Sequence, residues 1–298
     1  MRPLIYIMTP VLILTIILAS RFVTWEAIKG EKPQAQADVR EGTVLLRTWK
    51  IPHAIAAFTR AIETDPKYAE AYVKRGLAHY RAGQYKAAIA DYTRTLDLNR
   101  YHADAYASRG DAYRALGNTQ HAIADYSASI KKRWNANVTR RRAQTYFEQD
   151  DAKNAFADYS TVIKRQPSAV AYYARGNAYL RLSTESDQDR LRLALADLNQ
   201  AIGLEQRFAG AYISRAQIYI HLGEQALATA DYRNAVELFT ETIQTWQGEP
   251  DALTQVYLWR AFVYQKLGEV AKAETDVHEM YKRVFSFFLK KVRNCDIL

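Results

Sequence analysis

AEAYVKRGLAHYRAGQYKAAIADYTRTLDLNR, residues 69–100, is the stretch whose reading decides the fold. It divides into two short amphipathic helices. Tyr72, Gly76 and Tyr80 fall one turn apart on the first, and Ala88, Tyr92 and Leu96 do so on the second. Ala82-Gly83-Gln84 supplies the turn, because glycine at a helix end tolerates a left-handed backbone. Small residues at Gly76 and Ala88 let the two backbones approach, with tyrosines filling the space on either side. One such hairpin cannot bury its apolar face alone, so it must stack on copies of itself.

The copies are present. The Gly76 position recurs as Gly42, Gly110, Ala143, Gly176, Ala216 and Ala261. The Ala88 position recurs as Ala54, Ala122, Ala155, Ala194, Ala228 and Ala273. A large residue follows four later, as Phe58, Tyr92, Tyr126, Tyr159, Leu198, Tyr232 and Val277. Most steps are 33 or 34 residues, and two are longer. In period and residue types the chain resembles the tetratricopeptide repeat family, whose unit is about 34 residues. The resemblance covers seven units, roughly residues 35 to 281. It implies an all-α, right-handed α-solenoid whose first helices line a concave groove for partner peptides or proteins.

Composition agrees with that class. The 298 residues are 49% hydrophobic, with 12 Gly and 7 Pro, and strand-like alternation never persists. The lone cysteine, Cys295, excludes an intrachain disulfide. The net charge is +9, and +7 without residues 1–37, so the repeats carry the excess. That balance suits anionic partners without choosing among acidic protein, lipid headgroups and nucleic acid.

Residues 1–37 are different material. Leu4 to Ala19 is an uncharged, mainly apolar run behind Met1-Arg2, and Arg21 then interrupts it before Phe22, Val23 and Trp25. The run is short for a membrane span and long for a signal-peptide core. Residues 1–25 are accordingly an N-terminal apolar helix, read as a transmembrane anchor, with Arg21 snorkelling and Trp25 at the interface, or as a signal segment, with a buried helix as the third alternative. The cleavage-like Ala35-Gln36-Ala37 lies too far from the run, and no cysteine follows to make a lipoprotein signal. Residues 26–37 read as a linker, 38–281 as the repeat domain and 282–298 as a basic, aromatic extension of the last helix. The expected location is the membrane, single-pass. Counting Lys and Arg keeps the repeats cytoplasmic; the signal-like layout argues for export, and the reading leans to export.

Three places break the pattern. Trp49-Lys50-Ile51-Pro52 replaces the usual turn in the first unit, and Asp150 replaces the turn glycine in the fourth. Ser183 to Asp189 is inserted in the fifth unit, where Ser186 or Asp187 is placed to cap the second helix. A further insertion, Glu241 to Leu253, contains the turn Gly248-Glu249-Pro250-Asp251 and predicts a spacer or a small register break in the stack.

No chemistry emerges. The six histidines are scattered, and neither a phosphate-cradling loop nor a nucleophile elbow occurs. The chain therefore reads as a non-enzyme without cofactor or metal. The resemblance places Tyr80, Arg114, Arg140, Arg141, Gln144, Phe147, Asn177 and Leu180 in the partner-binding groove. Its carboxylate-clamp pattern of Lys and Asn is missing: Val73 and Leu77, Ala107 and Asp111, then Arg140 and Gln144 stand there. Arg75, Arg109, Arg142, Arg175, Arg215 and Arg260 occupy one position on first helices, and Asp91, Asp125, Asp158, Asp197, Asp231 and Asp276 one position on second helices. These predict Arg–Asp pairs, within a hairpin or between neighbours. The functional reading is a membrane-tethered scaffold that helps assemble or regulate a membrane or envelope protein complex. The alternative is a basic repeat protein that binds nucleic acid, against which stand the apolar N-terminal run and the lack of a regular base-reading pattern.

Overall fold

The computed structural model describes residues 32–183, 187–248 and 253–294. The apolar segment 1–25, most of the linker, Ser186, the Glu249-Pro250-Asp251 turn and Cys295 lie outside these residues.

Among the described residues there are fourteen α-helices and no strand. They pair as hairpins: α1 (Pro33–Arg47) with α2 (Ile51–Thr64), α3 (Ala69–Arg81) with α4 (Tyr85–Leu98), and α5 (Ala103–Ala115) with α6 (Thr119–Lys132). Next come α7 (Ala136–Glu148) with α8 (Ala152–Arg165) and α9 (Ala169–Leu182) with α10 (Gln188–Leu204). Last are α11 (Ala209–His221) with α12 (Gln225–Thr245) and α13 (Thr254–Lys266) with α14 (Val270–Asn294). Two compact units result, one ending at Trp134 with three hairpins and one beginning at Asn135 with four.

The helices start and stop where local chemistry dictates. Asn118, Asn135, Asp151, Ser168 and Asp187 each accept a backbone N–H of the first turn. Gly83, Gly117, Gly223 and Gly268 end first helices at φ of 75–78°. Trp49 and Asp150 hold the same turn position at φ of 59° and 58°, so the turn geometry persists where its glycine does not. One boundary moves: α1 begins at Pro33 rather than residue 38, since proline suits a first helical turn and Ala35 packs into the core.

Packing follows the small-residue positions. A methyl group on Gly76 would sit 2.8 Å from the Tyr92 ring, and one on Gly110 equally close to Tyr126. The alanines at positions 54, 88, 122, 155, 194 and 228 are fully buried. Within each unit, a second helix packs on the next first helix (α2 on α3, α4 on α5, α8 on α9, α10 on α11, α12 on α13). First helices also touch in sequence, α1–α3–α5 in one unit and α7–α9–α11 in the other.

Candidate functional site

The repeated Arg and Asp form bidentate pairs within each hairpin. Arg75 donates Nε and Nη2 to Asp91 at 2.9 and 2.7 Å, and Arg109 donates the same atoms to Asp125 at 2.8 Å each. Arg142–Asp158, Arg175–Asp197, Arg215–Asp231 and Arg260–Asp276 repeat the geometry at 2.7–2.8 Å. All six carboxylates are buried. Hydrogen bonding to the partner aspartate holds each arginine above its usual pKa, so the guanidinium stays charged throughout the working range.

Within each unit the third donor ties five of the arginines to the hairpin before them. Nη1 reaches Thr59 from Arg75 (3.2 Å), Thr93 from Arg109 (3.1 Å), Ser160 from Arg175 (3.0 Å) and Asn199 from Arg215 (2.7 Å). Thr93, Ser160 and Asn199 all stand two residues after a ladder aspartate. Arg260 departs from this, bonding Thr240 at 2.9 Å instead of the equivalent Arg233. Seven residues along a helix are about 10 Å, so the last hairpin stacks two turns further along the long α12. That is the physical form of the expected register break.

Tyrosines complete the clamp. The Arg109 guanidinium lies 5.6 and 6.0 Å from the ring centres of Tyr106 and Tyr113, that of Arg215 5.5 and 5.8 Å from Tyr212 and Tyr219, and that of Arg260 5.5 and 5.7 Å from Tyr257 and Tyr264. The sequence reading puts the pairs beside the tyrosines and gives the rings themselves a space-filling part. Their fixed offsets, three before and four after the arginine, are the signal that identifies them.

The first hairpin, with Glu41 and Ala57 in the ladder positions, reverses the polarity. Arg60 on α2 donates to Asp38 (3.4 Å) and Glu41 (2.7 Å) on α1.

Against this frame the predicted groove residues separate. In the first unit, Tyr80 is half-buried, its ring 5.4 Å from Tyr85 and packed on Ala88 and Tyr92. Arg114, on α5, is also half-buried. In the second unit, Phe147 is buried among Ala143, Ala155, Tyr159 and Ala178, with the Arg181 guanidinium 4.7 Å from its ring centre. Leu180 packs on the cluster of Leu191, Ala194 and Leu198. Arg141 is half-buried, its Nε inaccessible. Arg140 donates to Asn137 at 3.1 Å, Gln144 is exposed and reaches Glu148 at 3.4 Å, and Asn177 is half-buried. Helical spacing puts Phe147 on the face of Arg140 and Gln144, but the neighbouring hairpin's Ala178 and Arg181 cover it.

Sequence reasoning missed an exposed apolar set on α13. Leu258 is 44% and Trp259 47% exposed, Trp259 meets Phe262 edge-on at 6.0 Å, and Lys266 Nζ lies 5.4 Å from the Phe262 ring centre. Among the described residues, no group of three or more His, Cys, Asp or Glu is placed to hold a metal. No helix there is long and apolar enough to cross a membrane.

A family model described as tetratricopeptide repeat matches residues 39–101 and 74–137, and a second of the same description matches 209–241. No curated protein matches the chain. Among solved structures, a tetratricopeptide repeat protein from Parabacteroides merdae is similar at 16% identity, over 85% of this chain and 94% of its own, with a TM-score of 0.60. The C-terminal part of a TPR repeat-containing protein from Cytophaga hutchinsonii is similar at 16% identity, over 81% and 93%, with a TM-score of 0.57. The APC/C hetero-tetramer Cut9–Hcn1 contains a chain similar at 20% identity, over 79% of this chain and 45% of that one, with a TM-score of 0.54. At such identities the likeness is one of fold.

Proposed function

This chain is a tetratricopeptide repeat protein, and from that premise we propose that it is a membrane-tethered interaction scaffold that helps assemble or regulate a membrane or envelope protein complex. The observation that carries the reading is a contrast within the first helices. The ladder arginine and the small residue beside it repeat from hairpin to hairpin, as architecture requires. The positions two before and two after that arginine do not: Val73 and Leu77, Ala107 and Asp111, Arg140 and Gln144, Tyr173 and Asn177, Ile213 and Gln217, Leu258 and Phe262. Ala107 and Ile213 are buried; the others are half-buried or exposed and give their hairpins differing contact chemistry on a fixed frame, as a scaffold needs. In the second unit the chemistry runs from cationic at Arg140 to apolar and aromatic at Leu258 and Phe262, which suits a protein or peptide segment bearing carboxylates and a large apolar side chain. The tether in this reading is residues 1–25, the apolar run Leu4–Ala19 counted on through Arg21 to Trp25.

A photo-crosslinking residue at exposed Gln144, on the first helix α7, is expected to capture a discrete partner from native membranes. The same residue at exposed Thr161, on the second helix α8, is expected to capture little. Equal capture at both positions would refute the first-helix face. Protease accessibility of the repeats in spheroplasts, before and after lysis, tests the tether and its orientation.

A further inference from the structure

The last helix outgrows its hairpin. α14 has 25 residues against 13 for α13, and Arg283 already reaches Tyr257 near the start of α13, Nη2 to hydroxyl at 3.2 Å. The inner face of α14 is spent on that hairpin: Ala273 and Asp276 are buried, and Arg283 lies 4.7 Å from the Tyr257 ring centre. Its other face is open, with Glu274 and His278 among its earlier residues and apolar side chains from Tyr281 on. Val270, Tyr281 and Phe285 are 57%, 64% and 63% exposed, and Tyr281, Val284 and Phe285 line an open trough of about 570 Å³ with His278 and Lys282. Within each unit the second helix of an earlier hairpin carries the next first helix; among the described residues nothing packs on α14 in that way.

The charge chooses the occupant. From Met280 to Asn294 there are five Lys and Arg and no Asp or Glu. Glu279, just before, lies 3.5 Å from Lys282 and 3.9 Å from Arg283. Lys290, Lys291 and Arg293 follow with no acidic residue among them, while Phe288 and Val292 continue the apolar period in the sequence. Arg283 turns in to Tyr257, which leaves four cations per copy in this stretch of sequence, so two copies associating through it would bring eight like charges together. An anionic bilayer instead supplies the countercharge and an apolar layer for the aromatic side chains, while lysine stems reach back to the headgroups. We propose that α14 is an interfacial helix that lays its Tyr281–Val284–Phe285 face on an anionic lipid surface. This contact is separate from any tether through residues 1–25.

Hydrogen exchange of the full chain, with phosphatidylcholine vesicles and with vesicles containing about one-third phosphatidylserine, tests it locally. Exchange over residues 278–294 is expected to slow about tenfold on the anionic vesicles alone. A variant carrying Tyr281→Glu and Phe285→Glu, both at exposed positions, is expected to lose that slowing with exchange elsewhere unchanged. Equal slowing on neutral vesicles, slowing that survives in the variant, or no slowing at all would each overturn the proposal. Slowing without vesicles that grows with protein concentration would also overturn it, assigning the face to a second copy. The readout is confined to α14, so a failure of the N-terminal tether and a failure of this contact are told apart.

Discussion

The ladder makes a quantitative prediction at Arg109. Alanine at Asp125 removes two hydrogen bonds of 2.8 Å and strands a guanidinium whose side chain is only 18% exposed between Tyr106 and Tyr113. Stranding a mostly buried charge costs about 3 kcal/mol, and Arg109→Ala, which leaves the buried Asp125 carboxylate unpaired, about the same. Removing both relieves the unpaired charge, so the double variant should fall short of the sum by about 2 kcal/mol. Arg109 with Thr93, joined by one bond of 3.1 Å, should couple by roughly 0.5–1 kcal/mol. Arg109 with Asp91, whose carboxylate belongs to Arg75, should be additive within about 0.5 kcal/mol. Repeat arrays can open hairpin by hairpin, so the cycle is best read as opening free energies from hydrogen exchange of α5 and α6, beside urea melts. Coupling with Asp91 that exceeds coupling with Asp125, or no coupling in either pair, would refute the reasoning.

Other substitutions read the same frame. Gly76→Ala places a methyl group 2.8 Å from the Tyr92 ring and should cost about 1–3 kcal/mol in a urea melt. Asp150→Gly, at φ of 58°, should stabilise by roughly 0.5 kcal/mol in the same assay. The Tyr232 hydroxyl is buried and has no hydrogen-bond partner among the described residues, so Tyr232→Phe should stabilise by about 1 kcal/mol. Tyr126→Phe, which gives up a 2.8 Å bond to Asp111, should destabilise by about 1 kcal/mol. Arg140→Glu should weaken recovery of the crosslinked partner while circular dichroism and melting stay unchanged, because the Arg140 guanidinium bonds Asn137 within its own helix.

Much of the fold was legible in the chain alone. Gly76, Ala88 and Tyr92 recur because two helix backbones must approach and a ring must fill the gap beside them, and that demand is local to one hairpin. The Arg–Asp co-occurrence was legible for the same reason, although its geometry was not: spacing in sequence cannot tell a partner 16 residues ahead from one 18 residues behind. The tertiary structure decided in favour of Asp125 over Asp91 for Arg109, and gave the third donor to the previous hairpin. It also decided which members of one helical face remain open. Arg140, Gln144 and Phe147 share a face by spacing, yet Phe147 is closed over by Ala178 and Arg181, some 30 residues on. Likewise the sequence declares α14 amphipathic, but only its pairing with α13 leaves Tyr281 and Phe285 outward and turns Arg283 in. Periodicity is a property of one helix; burial depends on what stands against it, and that is set by contacts far apart in the chain.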